Sequence, residues 1–155
     1  MTQIPTLADI KETATRIAAF AERTPVRILQ LDDGTQLWLK CENFQRTGAF
    51  KFRGATNAVK MLGEEAENGV CTHSSGNHAQ ALALAAKQRG IPAYIVMPKT
   101  APRVKVAGVE SHDAEITFCE PTLAARETAA ADVIERTNAT LVHPYDDPNV
   151  IAGQG

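Results

Sequence analysis

The sequence has few aromatic residues and no strong excess of either charge. Phenylalanine, tyrosine and tryptophan make up 5% of its 155 residues, too few to suggest the stacking platforms on which single-stranded nucleic acids bind. With 16 basic and 18 acidic residues the formal net charge is −2, which gives no electrostatic attraction to nucleic acid or to an anionic membrane. We therefore expect neither a nucleic acid nor a membrane as a partner.

Cysteine and long apolar runs are also scarce. Cys41, Cys71 and Cys119 are odd in number, far apart and not arranged as Cys-x-x-Cys, which argues against a disulfide framework or a zinc site. They favour reduced thiols in a cytoplasmic protein, and no metal ligands are assigned. Residues 1–11 show no signal peptide, and the longest apolar stretch, 79–86, is too short to span a membrane.

What the sequence does contain is an alternation of short strands and helices from Lys51 onward. Helices are predicted over 51–62, 77–89, 102–109 and 121–137, and strands over 70–72, 93–97, 116–119 and 141–142. This rhythm indicates an α/β fold with a doubly wound parallel sheet covered on both faces. Gly63 and Gly90 are expected to cap the helices that precede them, and Pro121 to stand in a first helical turn.

The two ends of the chain do not obviously belong to this α/β unit. Apolar residues at helical spacing predict a helix over 7–23, which Thr24-Pro25 would end. A strand at 37–39 follows a predicted turn at Asp33-Gly34. The glycine-rich stretch 151–155 looks like the entrance to another element, and we therefore expect a piece of a larger two-domain protein.

The first segment with chemical potential is ENFQRTGAFKFRGA, residues 42–55. Lys51 lies there at a predicted loop-to-helix junction, flanked by Phe50 and Phe52. A helix N-terminus and apolar neighbours both disfavour an ammonium ion, and a lysine of lowered pKa readily forms a Schiff base. From the residues alone, a solvated lysine on a helix surface remains the alternative.

The second segment is HSSGNHAQ, residues 73–80, between a predicted strand and a predicted helix. Hydroxyls and backbone N–H groups of Ser74 and Ser75 would face the helix start, which is a ready site for an anion. Gly76 lets a ligand approach the backbone closely. From the residues alone, simple helix capping by a serine is the alternative, with His78 as a capping or surface residue.

Both segments resemble, nearly letter for letter, signatures of the serine/threonine dehydratases, a family of fold-type II pyridoxal 5′-phosphate (PLP) enzymes that includes serine racemases. Residues 42–55 look like the PLP attachment motif, and residues 74–78 look like the loop that binds the substrate carboxylate. Similar stretches continue to residue 155, so the resemblance covers the chain from about residue 24.

The resemblance implies roles for seven residues. Lys51 would hold PLP as a Schiff base and act as the base on one face of the cofactor, and Ser75 matches the acid–base residue on the other face. Phe50 would pack against the pyridine ring, and Asn77 would hydrogen-bond the 3′-oxygen. The loop that would cradle the substrate carboxylate consists of Ser74, Ser75, Gly76, Asn77 and His78.

The sequence also departs from the family pattern. Ala49 stands where a serine often precedes the Phe-Lys pair, and His112-Asp113 replaces the usual Tyr-Gly of the racemases, which weakens the case for nucleotide regulation. The family's tetraglycine phosphate loop and metal-binding carboxylates do not occur, so any divalent cation would be held outside this sequence. The positions that match nucleotide contacts in animal serine racemases are Arg46, Thr47, Gln80 and Lys105.

The resemblance implies a cytoplasmic enzyme, a homodimer when full length, that acts on a small amino acid. It would deaminate L-serine, L-threonine or a hydroxyaspartate to a 2-oxo acid and ammonia, with serine racemase activity as an associated reaction. Residues 1–50 would belong to a large PLP domain, 51–145 would form a small α/β domain, and 146–155 would return to the large domain.

Two alternatives stay open. The chain could be a truncated, catalytically inactive piece that acts only as a folded module. It could also be a relative such as cysteine synthase, which the Ser-Ser-Gly-Asn-His-Ala run disfavours.

Overall fold

The computed structural model describes residues 4–155, in which a four-stranded parallel sheet accompanies a separate two-stranded antiparallel hairpin. Six helices are labelled α1 (Leu7–Ile17), α2 (Lys51–Met61), α3 (Asn77–Arg89), α4 (Arg103–Glu110), α5 (Leu123–Thr137) and α6 (Pro148–Gln154). The strands are β1 (Val26–Gln30), β2 (Gln36–Lys40), β3 (Val70–His73), β4 (Ala93–Pro98), β5 (Glu115–Cys119) and β6 (Thr140–Leu141). None of the helices within 4–155 is both long and apolar enough to cross a membrane.

The parallel sheet has the strand order β5-β4-β3-β6. Successive strand residues point to opposite faces, and each face has its own buried cluster. Val70 and Ile95 pack with residues of α2 and α3, whereas Cys71 and Val96 pack with Ala130 and other residues of α5. The expectation of an α/β fold with a doubly wound parallel sheet is therefore confirmed.

Of the three predicted helix-boundary residues, one is confirmed and two are wrong. Gly90 ends α3 in the left-handed conformation, with φ of 74°, as predicted. The capping role predicted for Gly63 is wrong, because α2 ends at Met61, its C-cap residue Leu62 is extended, and Gly63 does not adopt the left-handed conformation. Pro121 lies outside the first turn of α5, because the Thr122 side chain accepts the N–H of Ala125 and caps the helix there.

The structure also corrects the predictions for both ends of the chain. Helix α1 stops at Ile17 rather than at residue 23, since the backbone turns at residues 18–20. Strand β1 was not predicted, and it pairs with the predicted strand β2 across the turn at residues 31–35. Where the glycine-rich stretch 151–155 was expected only as an entrance to another element, residues 148–154 form the short helix α6. Strand β6 begins and ends one residue earlier than predicted.

Helices α2 and α6 approach each other closely at two glycines. A Cβ atom at Gly54 would lie 2.5 Å from the carbonyl oxygen of Val150, and one at Gly153 would lie 2.6 Å from the Cα of Gly54. No larger side chain fits between the two backbones at this crossing. The crossing sets the connection between β6 and α6 against the first turn of α2, where Lys51 lies.

The loop before Lys51 is fixed to the N-terminal segment. Gln45 is buried, accepts the backbone N–H of Glu22 at 2.9 Å and donates to the carbonyl of the same residue at 2.9 Å. Arg53 donates to both carboxylate oxygens of Glu42, at 2.8 and 2.7 Å, which holds the pKa of that carboxyl below its ordinary value. These bonds constrain the turn that leads into α2.

Candidate active site

A cleft of about 300 Å³ opens at the carboxyl end of β3, where ligands of parallel α/β sheets usually bind. It brings together Lys51 from the start of α2 and the predicted carboxylate loop, residues 74–78. The other side chains that line it are His73, Leu123, Arg126, Pro144 and Tyr145. Residues 51 and 74–78, which the sequence singled out from two separate motifs, therefore share one cavity.

Lys51 is tethered inside this cleft rather than freely solvated. Its Nζ donates to the carbonyl oxygen of Pro144 at 2.7 Å and lies 3.4 Å from Oε1 of Gln154. The ring centroid of Phe50 is 5.2 Å from Nζ of Lys51. Partial burial lowers the pKa of Lys51 below its ordinary value, because desolvation disfavours the ammonium form. The fraction of neutral, nucleophilic amine is correspondingly raised.

The N-terminus of α3 faces the cleft without a side-chain cap from any described residue. Gly76 is the N-cap residue, and the Ser74 hydroxyl accepts the N–H of Gly76 at 3.4 Å rather than an N–H of the helix. Ser75 is exposed. Free N–H groups at the start of a 13-residue helix favour an anion, so the geometry fits a carboxylate better than a serine cap.

His78 supports the loop from beneath and is not a surface residue. Its side chain is 2% exposed, and its Nε2 lies 3.4 Å from the carbonyl oxygen of Val142. Burial is the main cause that lowers the pKa of His78 to about 4, with a smaller contribution from the positive charge of Lys51. Burial likewise lowers the pKa of His73. His78 is therefore neutral at physiological pH.

Asn77 and Phe50 differ in their relation to the cleft. The Asn77 side-chain oxygen accepts from Nζ of Lys105 at 2.7 Å, an arrangement that turns the amide NH₂ away from Lys105 and leaves it available as a donor. Phe50 is 43% exposed and lines a neighbouring groove of about 580 Å³ instead of the cleft. Of the seven predicted site residues, Phe50 alone is not among the cleft-lining residues.

Arg126 is the cleft residue that sequence reasoning missed most completely. It lies in the first turn and a half of α5, and its Nε is 3.4 Å from the carbonyl oxygen of Thr122. Within residues 4–155 it forms no ion pair, and no carboxylate lines the cleft. The cavity therefore presents two cationic side chains, Lys51 and Arg126. An isolated arginine in a mixed-charge helix gives no sequence signal of such a role.

The cleft fits PLP in three respects. A lysine amine of lowered pKa can form an imine with the aldehyde, a free amide can donate to an oxygen, and the positive lining suits anionic groups. By contrast, residues 4–155 contain no group of three or more His, Cys, Asp or Glu side chains arranged to hold a metal ion.

Comparison with known proteins identifies the family of this chain. The family model described as "Pyridoxal-phosphate dependent enzyme" matches residues 17–155. A β-hydroxyaspartate dehydratase of Paracoccus denitrificans is 51% identical over 98% of this chain and 50% of its own length. A serine racemase of Arabidopsis thaliana is 50% identical over 96% of this chain and 46% of its own.

The solved structure of maize serine racemase superposes with a TM-score of 0.93 at 44% identity and covers 97% of this chain and 47% of its own. The chain thus spans about half the length of the relatives it matches. A family model that covers nearly all of the sequence, together with relatives this similar, is decisive. The chain belongs to the family of pyridoxal-phosphate dependent enzymes.

Proposed function

We propose that the whole protein is a PLP-dependent dehydratase that deaminates L-serine, L-threonine or a hydroxyaspartate to a 2-oxo acid and ammonia. The observation that carries this proposal is the shared cleft. In it the Lys51 amine, with its pKa lowered by burial, lies with the uncapped N-terminus of α3. An amine nucleophile and an anion site in one cavity suit a substrate that is an amino acid.

The chain's own residues would bind the cofactor, orient the substrate and accept its proton. When bound, PLP supplies an electron sink for negative charge that develops at the substrate Cα. Lys51 would hold the cofactor through Nζ and, once released from it, accept the Cα proton at the same atom. The N–H groups at the start of α3 and the Ser74 and Ser75 hydroxyls would hold the substrate carboxylate and so fix the direction of the Cα–H bond. Asn77 would donate its free amide hydrogen to the cofactor.

Serine racemase activity is the second candidate, and the exposure of Ser75 in the cleft favours it. A hydroxyl at this position could return a proton to Cα and yield the mirror-image amino acid. Dehydration and racemisation would then use the same residues. Their balance would depend on whether the β-hydroxyl leaves before the proton returns.

The charge of the cleft favours a substrate with two carboxylates. The α-carboxylate would occupy the N-terminus of α3, and the guanidinium of Arg126, which has no ion-pair partner among residues 4–155, would bind a second one. The hydroxyaspartate named for the Paracoccus relative carries such a group. We therefore place hydroxyaspartate before serine among the candidate substrates.

The wider organisation is also proposed. We assign residues 1–50 and 146–155 to a large domain and residues 51–145 to a small α/β domain. In support, the strands of the β1–β2 hairpin are exposed along their whole length, although most of their residues are apolar. A cytoplasmic homodimer is proposed from the family resemblance.

A reduction experiment tests the role of Lys51. The purified chain is mixed with PLP, and an absorbance band of the imine is sought before and after borohydride, followed by peptide mapping. We expect a reduced adduct at Lys51 that is absent from Lys51→Ala and retained by Lys99→Ala, because Lys99 pairs with Glu120 on the surface. An adduct spread over surface lysines, or one that survives Lys51→Ala, would contradict the assignment.

A further inference from the structure

The connection between β6 and α6 contacts the candidate site through two carbonyl groups, those of Val142 and Pro144. Val142 O lies 3.4 Å from Nε2 of His78, and Pro144 O accepts from Nζ of Lys51 at 2.7 Å. The residue between them is His143. Its conformation therefore determines where the Pro144 carbonyl, the main tether of the lysine amine, is directed.

His143 holds this connection as a tight turn through its own side chain. Its Nδ1 accepts the backbone N–H of Asp146 at 2.9 Å and that of Tyr145 at 3.4 Å. Asparagine and aspartate commonly stabilise turns in this way through their side-chain oxygen, which accepts the N–H two residues further along. Here an imidazole nitrogen supplies the acceptor, so the ring proton is assigned to Nε2.

The same ring also packs against two aromatic side chains. It meets His73 edge to face, with centroids 5.4 Å apart, and Tyr145 in the same manner at 4.5 Å. The ring thus has two separable contributions, an acceptor atom for the turn and an apolar edge for packing. Substitutions can remove one contribution and keep the other.

We propose that His143 is a positioning residue for Lys51. By accepting the N–H groups of Tyr145 and Asp146, Nδ1 fixes the turn in which the Pro144 carbonyl holds the Lys51 amine in the cleft. The proposal rests on the proposed role of Lys51, since the tether matters for function only if that amine carries the cofactor. His143 itself touches neither Lys51 nor the proposed carboxylate loop in the hydrogen bonds of residues 4–155.

Two variants separate the acceptor from the ring. His143→Phe keeps a ring against His73 and Tyr145 but lacks the acceptor atom. His143→Asn loses the ring but supplies an oxygen able to accept the N–H of Tyr145. If the acceptor positions Lys51, the phenylalanine variant is impaired and the asparagine variant is largely normal.

The measurements are made on the whole chain without PLP. Amide hydrogen exchange is followed at Tyr145 and Asp146, and the pH midpoint for modification of Lys51 by an amine reagent is mapped by mass spectrometry, with Lys60 as the internal reference. In His143→Phe we expect exchange at these two amides to rise by about tenfold, the loss of roughly one hydrogen bond. The Lys51 midpoint should move up towards that of an ordinary lysine, because the released side chain regains water.

In His143→Asn, the exchange rates of these two amides should stay within about twofold of those of the wild type, because the asparagine oxygen replaces the lost acceptor. The proposal is overturned if His143→Phe leaves the Lys51 midpoint unchanged, or if both variants shift it equally, which would assign the effect to packing. Protection of the α3 amides confirms that each variant is folded. Failure of the wild-type chain to take up PLP at Lys51 would count against the proposed role of Lys51, whereas the exchange and modification results, obtained without PLP, would still decide the proposal about His143.

Discussion

Burial acts in the same direction on the two basic groups at the base of the cleft. Lys51 and His78 both lose hydration, and desolvation lowers the pKa of each. For Lys51 the consequence is chemical, because the neutral amine is the form that attacks an aldehyde. For His78 the consequence is structural, because a ring buried as a neutral group must remain uncharged for the fold to stay intact.

The neutral burial of His78 predicts a loss of stability in acid. Its pKa is about 4 in the folded chain against 6.5 ordinarily, so between these values the unfolded chain binds more protons and the free energy of unfolding falls as pH falls. The difference corresponds to about 3 kcal/mol by pH 4, of which about 2 kcal/mol is lost by pH 5.

Urea unfolding at pH 7 and pH 5 measures this loss. We expect His78→Gln to be less stable at pH 7 but to show a clearly smaller decline on acidification. His112→Gln, which changes a histidine on the turn after α4, should keep most of the wild-type decline. Equal pH dependence in His78→Gln and the wild type would mean that another group drives acid unfolding.

Arg126 predicts the substrate preference of the active protein. Replacing the guanidinium by an amide removes a charge-assisted hydrogen bond, so Arg126→Gln should lower kcat/KM for 3-hydroxyaspartate relative to serine by roughly 10- to 100-fold. The matched control is Arg136→Gln on the same helix, because Arg136 pairs with Glu115 at 2.7 Å and does not line the cleft. An unchanged ratio in Arg126→Gln would exclude a carboxylate at this position.

The sequence predicted the residues of the site better than the groups that hold those residues in place. Lys51 and residues 74–78 stand in local patterns that a reader of sequence can recognise, and they meet because β3 ends beside the start of α2. The tether of Lys51 is a backbone carbonyl 93 positions away, and any residue at position 144 carries such a group. Its identity could not be predicted, since it depends on how α2 and α6 cross.

At the scale of elements, the chain is predictable where local signals and packing agree. Helix α3 was predicted because periodic apolar residues end at a glycine, and the parallel strands because short apolar runs alternate with helices. Strand β1 was missed because its apolar residues do not alternate regularly with polar ones, and it is stabilised by pairing with β2. Helix α6 was missed because Gly153, with Gly155 just beyond the helix, disfavours a helix locally, although Gly153 is also what allows close contact with α2.

The crossing of α2 and α6 predicts a strong effect of one methyl group. In Gly54→Ala the new Cβ would meet the backbone oxygen of Val150 at 2.5 Å, so the two helices must separate. Such overpacking usually costs about 1–3 kcal/mol, and the displaced connection would also weaken the tether of Lys51. Urea unfolding should show the loss in free energy, together with reduced PLP incorporation at Lys51.

Gly108→Ala is the matched control for this prediction. The atoms nearest to its Cβ would all belong to the end of the Gln80 side chain, which can move, and alanine favours a helix over glycine by about 1 kcal/mol. Gly108→Ala should therefore be neutral or slightly stabilising. If Gly54→Ala behaved in the same way, the close approach of the two helices would not be a requirement of the fold.

At the scale of the whole molecule, the β1–β2 hairpin leaves apolar side chains exposed to water. Trp38 is 68% exposed and Ile28, its cross-strand partner, is 55% exposed, and further apolar residues lie on the other face of the hairpin. Exposed apolar surface of this extent usually marks a contact with further protein. The chain also spans about half the length of its relatives.

This arrangement predicts that the 155-residue chain alone does not turn over substrate. The cleft supplies an amine and an anion site, but the residues described here offer PLP no glycine-rich phosphate loop and leave the apolar hairpin faces open to water. We expect no steady formation of a 2-oxo acid from 3-hydroxyaspartate, serine or threonine by the pure chain with PLP, even if Lys51 forms an imine. A dinitrophenylhydrazine assay measures the product, and Lys51→Ala identifies any contaminating activity. Turnover that disappears in Lys51→Ala would show instead that these residues are a sufficient catalytic unit.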